Sequence, residues 1–161
     1  MKTTDNDSLK QLDELLATTN QSWLFGTGIC VNSGIPLMGS LTSRVFAKAK
    51  CDDQEAFDLL DAVKEELPEE SHIEHMLSQL GDFATIAGRS NEKKVTIGKQ
   101  TLELEKLQEL HMKILNWIAE TIRWGYVPVS GDAPEEIGTK DAPIVKVDEH
   151  TKFISALFDR S

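Results

Sequence analysis

The interpretation of this chain depends on a short apolar run and the glycine-rich stretch after it, Ser22-Trp23-Leu24-Phe25-Gly26-Thr27-Gly28-Ile29-Cys30-Val31-Asn32-Ser33-Gly34-Ile35-Pro36. Residues 22–25 are too few for a helix, and their aromatic content is typical of a buried strand. Past the glycines, Ser40 or Thr42 is placed to cap a helix. A strand, a glycine-rich loop and a helix open a doubly wound sheet, so we predict an α/β fold with this unit at residues 22–50.

The glycines of this loop allow the backbone to approach a ligand closely, and N–H groups that precede a helix can bind a diphosphate. Two common phosphate motifs nevertheless fail. The dinucleotide fingerprint G-x-G-x-x-G requires glycine where this chain has Val31, and no lysine of the P-loop type lies between Lys10 and Lys48. From glycine spacing alone, a plain turn between strand and helix is an equally good interpretation.

Residues 26–36 resemble the signature G-A-G-x-S-x-x-S-G-I-P of the sirtuin-like NAD-binding fold, with Thr27 in place of alanine and Cys30 in place of serine. The resemblance implies a Rossmann-like, helix-rich fold that binds NAD as its substrate. It also implies the residues that line the pyrophosphate and the neighbouring ribose: Gly26, Thr27, Gly28, Cys30, Ser33, Gly34, Ile35 and Pro36.

Departures from the signature narrow the resemblance to one branch of the family. Protein deacylases continue with D-F-R, whereas Leu37, Met38 and Gly39 follow here, and two cysteines cannot supply the four-cysteine zinc module. The string SGIPLMGSLT is instead similar to bacterial sirtuin-like NAD hydrolases of antiphage defence. That branch implies cleavage of NAD to nicotinamide and ADP-ribose, a homo-oligomer, and a HerA-like ATPase as a possible partner.

The catalytic half of such a site is not found in residues 1–161. The branch uses an asparagine in a T-N-Y-D-like string and a later histidine; no such string occurs, and Asn116 lies inside a predicted helix. We therefore expect residues 1–161 to be the N-terminal part of one larger domain, with a helical insertion from about residue 51, and assign no catalytic residue. The alternative is a non-catalytic nucleotide-sensing or assembly module.

Apolar periodicity predicts helices along most of the remaining chain. Leu9 to Leu16 form the first, and another ends at Pro68. A third begins at the capping-box sequence Ser71 to Glu74, the longest spans about 101–124 with Leu115 and Ile122 among its apolar positions, and the last covers about 149–159. We expect a polar connector at 88–98 and an extended excursion at 125–147, with a short strand at 144–147.

Composition excludes several classes of protein. The 161 residues include 27 acidic and 17 basic ones, a net charge of −10, which opposes direct nucleic-acid binding. No apolar run approaches a membrane span and the N-terminus lacks a signal-peptide core, so we expect a cytoplasmic protein.

Among the single residues of interest, His72 and His75 are interpreted as capping or solvated rather than metal-binding. His150 is predicted on an exposed helix face, Cys51 in packing, and Trp117 in the core.

Overall fold

A computed structural model describes residues 10–11, 14, 26–98, 100–131, 133–146, 148, 150–152 and 155. After a 3₁₀ helix at Thr27–Ser33 come α1 (Met38–Asp52), α2 (Gln54–Glu65), α3 (Ile73–Arg89), β1 (Lys94–Ile97), β2 (Gln100–Glu103), α4 (Leu104–Trp124), β3 (Tyr126–Val127) and β4 (Glu136–Ile137). The described part of the chain is therefore rich in helix, with a few short strands.

Helix starts are fixed by local hydrogen bonds. Asp53 caps α2 by accepting the N–H of Ala56 at 3.1 Å. The prediction that Ser40 or Thr42 caps the first of these helices is wrong, because α1 begins at Met38 directly after the extended Leu37. The Thr42 hydroxyl instead donates to the carbonyl of Met38 at 2.8 Å and accepts the N–H of Ile73 at 3.0 Å, which joins α1 to the start of α3.

The core lies between the four helices and the β1–β2 hairpin. Each element contributes fully buried aliphatic side chains, among them Val45, Leu60, Met76, Ile97 and Leu107. Trp117 is also buried, as predicted. The apolar faces of these amphipathic helices supply most of the free energy that holds them together.

The prediction of a polar connector at residues 88–98 is wrong, because β1 of a hairpin lies within this range. Strands β1 and β2 pair antiparallel, with Lys94 opposite Glu103 and Ile97 opposite Gln100. Because β2 occupies residues 100–103, the longest helix begins at Leu104 rather than at 101.

The described strands form two separate two-stranded antiparallel sheets, β1–β2 and β3–β4. Within those residues no parallel pair of the expected Rossmann-like sheet occurs. The predicted strand at 22–25 and most of the predicted first helix lie outside the described residues. Of the predicted last helix, residues 148, 150–152 and 155 are described and are helical. None of the helices described is both long and apolar enough to cross a bilayer.

Candidate functional site

The glycine-rich loop folds as a short 3₁₀ helix that ends on Gly34. Gly34 adopts the left-handed conformation, with φ 77° and ψ 17°, and its N–H donates to the carbonyl of Val31 at 3.1 Å. Residues 35–37 have no regular secondary structure, and Leu37 is extended where α1 begins. The predicted order of glycine-rich loop and helix is confirmed, and the loop has a defined backbone rather than an open turn.

Two further glycines meet the end of this loop, and we call Gly34, Gly125 and Gly138 the glycine junction. A Cβ on Gly34 would lie 3.0 Å from the carbonyl oxygen of Ile144. One on Gly125, which has φ 92°, would lie 2.6 Å from Cγ1 of Ile144. One on Gly138 would overlap the carbonyl of Trp124. Only glycine lets these backbones approach so closely.

Backbone hydrogen bonds hold the junction together. The N–H of Tyr126 donates to the carbonyl of Gly34, and the N–H of Lys146 donates to that of Ser33, both at 2.9 Å. The N–H of Ile144 donates to the carbonyl of Trp124 at 2.9 Å. Lys146 thus bonds to the loop and Ile144 to the end of α4, each through one backbone bond. The described residues 144–146 are not assigned to a strand, unlike the prediction for 144–147.

Ser33 and His150 form a polar pair at the end of the loop, in which Ser33 is buried and His150 is half-buried. The Ser33 side chain is 1% exposed, and its hydroxyl lies 3.1 Å from Nδ1 of His150. Nε2 of His150 is buried and has no hydrogen-bond partner within the described part of the chain. The prediction that His150 lies on an exposed face is therefore wrong. Its contact is with a residue 117 positions away, so no local pattern could have indicated it.

Among the described residues, the opposite side of the loop is uncovered. Gly26 and Gly28 are exposed, and a Cβ on either would meet no atom of the described chain within 4 Å. Ile29, Val31 and Leu37 are exposed apolar side chains of the same segment. No described residue blocks the approach of a ligand to the backbone of the first two glycines.

The other residues predicted to line the site differ in how deeply they are buried. Cys30, Ile35 and Pro36 are half-buried, whereas Gly34 is buried in the junction. The free thiol of Cys51 is exposed, so the prediction that it packs is wrong.

The interval of sequence that contains the loop differs in charge from the chain as a whole. No acidic residue occurs between Glu14 and Asp52, although the chain carries 27. Arg44, Lys48 and Lys50 are the basic residues of this interval, and Lys48 forms an ion pair with Glu120. The first turn of α1 contains no acidic side chain. The acid-free interval is a feature of the sequence, and carboxylates from other segments lie near it: Glu120 pairs with Lys48, and Glu135 accepts the hydroxyl of Tyr126 beside the loop.

Tyr126 connects the junction to its charged surroundings. Burial, together with the hydrogen bond that its hydroxyl donates to Glu135 at 2.8 Å, raises the pKa of Tyr126 above its ordinary value of 10.0. The guanidinium of Arg44 lies 5.7 Å from the ring centroid. The phenol is thus neutral at physiological pH and joins β3 to Glu135, while the backbone N–H of the same residue joins β3 to the loop.

The paired histidines have a structural role. Nδ1 of His75 accepts the N–H of His72 at 3.0 Å, which satisfies a free donor at the start of α3. The capping interpretation of this pair is confirmed. Within the described ranges, no group of three histidine, cysteine, aspartate or glutamate side chains lies together in a way that could hold a metal ion.

No protein-family model matches the sequence, and no curated protein or solved structure is similar to it. A function can therefore be proposed only from the sequence of the loop, the charged residues near it and its backbone conformation.

Proposed function

We propose that residues 26–36 bind the diphosphate of NAD, and that the whole protein is an NAD hydrolase of the bacterial sirtuin-like type. The observation that carries the proposal is the loop itself. It combines the G-T-G-x-C-x-x-S-G-I-P sequence with solvent-open backbone at Gly26 and Gly28 and a left-handed Gly34. These are the features that a backbone needs in order to surround a diphosphate.

The surroundings of the loop support an anionic ligand. Helix α1 begins two residues after Pro36, and the partial positive charge of its N-terminus attracts phosphate oxygens. The interval from residue 15 to residue 51 contains no acidic residue, so neither the loop itself nor the first turn of α1 places a carboxylate beside the ligand. Ser33 holds the end of the loop through His150, so in this proposal its hydroxyl shapes the site from behind.

In the proposed reaction the whole protein cleaves the nicotinamide–ribose bond with water, releasing nicotinamide and ADP-ribose. For residues 1–161 the proposal is confined to binding, because the T-N-Y-D-like string is absent from this sequence. A Rossmann-like arrangement, a homo-oligomer, a HerA-like ATPase partner and a cytoplasmic location belong to the same proposal.

A second candidate function is a non-catalytic nucleotide-sensing or assembly module. It is favoured by the absence of the asparagine string and by the burial of Ser33 against His150. Both candidates require the loop to bind a nucleotide. They differ in whether the whole protein consumes NAD, which chromatography of nicotinamide release measures directly.

Calorimetric titration of NAD into Gly28→Val tests the binding proposal. A Cβ at Gly28 meets no atom of the described residues within 4 Å, so we expect the fold to tolerate the substitution and the ligand not to. Loss of the close backbone approach should weaken NAD binding by about tenfold or more.

The matched control is Gly81→Val in α3, where a Cβ also meets nothing within 4 Å. This control should bind NAD as the unmodified chain does. If Gly28→Val also binds NAD with unchanged affinity, the loop is not the binding site.

A further inference from the structure

Helix α4 carries an apolar stripe on the side opposite the core. Its buried face consists of Leu107, Leu110, Ile114, Trp117 and Thr121. On the other side, Met112, Leu115 and Ile122 are 57%, 39% and 41% exposed, and Ala119 between them is also exposed. The predicted helix is thus present, but Leu115 and Ile122, two of the apolar positions that defined it, lie at its surface rather than in the core. We call Met112, Leu115, Ala119 and Ile122 the α4 stripe.

The spacing of the α4 stripe is that of a coiled coil. Its members are separated by three, four and three residues, the a and d positions of a heptad. A surface helix needs no second apolar seam to pack on its own core, and an exposed seam of this kind marks an interaction surface.

We propose that the α4 stripe pairs with the same stripe of a second copy, with the two helices antiparallel about a two-fold axis. In an antiparallel pair each a position lies opposite a d position. That register places Met112 opposite Ile122 of the second copy, and Leu115 opposite Ala119 of the second copy. The small alanines beside the axis let the two helices approach closely.

Charge complementarity supports a second copy as the occupant. The e positions on one flank of the stripe are Glu109, Asn116 and Arg123, all exposed. In the register set by the apolar layers, Glu109 lies opposite Arg123 of the second copy, and symmetry repeats this pair. Asn116 lies opposite its own counterpart at the axis.

Parallel pairing gives no such match. It would place the e flank against the g positions Leu104, His111 and Ile118, among which none is acidic. Glu109 pairs within its own chain with Lys113 through Oε1, at the exposed surface, where such a pair is weak and easily rearranged. The self-complementary charges thus select the antiparallel register, independently of whether the loop binds NAD.

Site-specific crosslinking tests the register. Asn116→Cys, in a chain whose Cys30 and Cys51 are replaced by serine, should give a covalent dimer with a short bis-maleimide. Met112→Cys should give no covalent dimer, because residue 112 of each copy faces Ile122 of the other copy and the two introduced cysteines lie far apart. Crosslinking at Met112 but not at Asn116 would indicate a parallel pair and would overturn the proposal.

Charge exchange tests the interaction energy by sedimentation equilibrium. Arg123→Glu replaces two attractive pairs by two repulsive ones and should weaken the dimer roughly tenfold. The double variant Glu109→Arg with Arg123→Glu should restore the original dissociation constant. Glu65→Arg at the exposed end of α2 is the control and should change nothing.

A chain that stays monomeric at every concentration would overturn the proposal. The α4 stripe would then be covered by another segment of the chain or by another protein. A double variant as weak as Arg123→Glu alone would overturn it as well.

Discussion

Replacing Gly34 with alanine should destabilise the chain through its backbone. A φ of 77° costs a residue with a Cβ about 1–2 kcal/mol, and the new methyl would lie 3.0 Å from the carbonyl oxygen of Ile144. Alanine also restricts the unfolded chain, which offsets about 0.4–1 kcal/mol of this loss. Moving the Ile144 carbonyl aside costs about as much free energy as this offset gains. We therefore expect Gly34→Ala to lower the free energy of unfolding by about 1–2 kcal/mol.

Thermal unfolding followed by circular dichroism measures this effect. For a chain of this length the expected loss corresponds to a fall in Tm of about 2–8 °C. Gly28→Ala is the matched control: its Cβ meets nothing within 4 Å, so its Tm should stay the same or rise slightly. Equal Tm values for the two variants would refute the close approach of Gly34 to residue 144.

Three further predictions concern the ion pair between Asp53 and Lys113, the contact between Ser33 and His150, and the two thiols. The hydrogen bond from Lys113, with that from the Ala56 N–H, holds the pKa of Asp53 below its ordinary value of 3.8. The stability that Asp53 contributes is therefore complete above about pH 4 and is lost as pH falls through the folded-state pKa. The stability difference between the unmodified chain and Asp53→Asn should shrink below about pH 4 in urea titrations, whereas the difference for Asp82→Asn, an exposed control on α3, should not. Ser33→Ala leaves Nδ1 of His150 without its partner and should cost about 1–3 kcal/mol of unfolding free energy in the same assay, so an unchanged urea midpoint would show that the pair is not formed. NAD should slow alkylation of Cys30 and leave the exposed Cys51 unaffected, as followed by peptide mass spectrometry; equal protection of both thiols would argue against binding at the loop.

Local signals in the sequence predicted the helices well. Helix α2 ends before Pro68, because proline acts within one turn of the position it occupies. The start of α3 lies close to its predicted place, but the predicted box of Ser71 and Glu74 is wrong: His72 is the N-cap residue, and its N–H donates to His75. The face that α4 turns toward the core was harder to predict. Its apolar residues cover more than one side of the helix, and periodicity alone does not tell which of them meet neighbours.

The site was predicted only in part, for a physical reason. The loop sequence indicated a glycine-dependent backbone, and Gly34 does adopt a left-handed conformation. The glycine junction joins residues 33–34 to residues 125–126 and 144–146, segments that are about a hundred positions apart. No turn signal or periodicity links such segments, so neither the role of Gly138 nor the contact of His150 could be inferred.

The proposed binding of NAD by the loop is tested most directly by titrating NAD into the ¹⁵N-labelled chain and following each backbone amide by NMR. Binding at the loop should give saturable shifts of the Gly26 and Gly28 amides. ADP-ribose, which keeps the diphosphate, should reproduce these shifts, and nicotinamide riboside, which lacks it, should not. Amides of α3, such as that of Gly81, should keep their chemical shifts. A folded chain whose amides at residues 26–36 do not respond to NAD would show that the loop does not bind it.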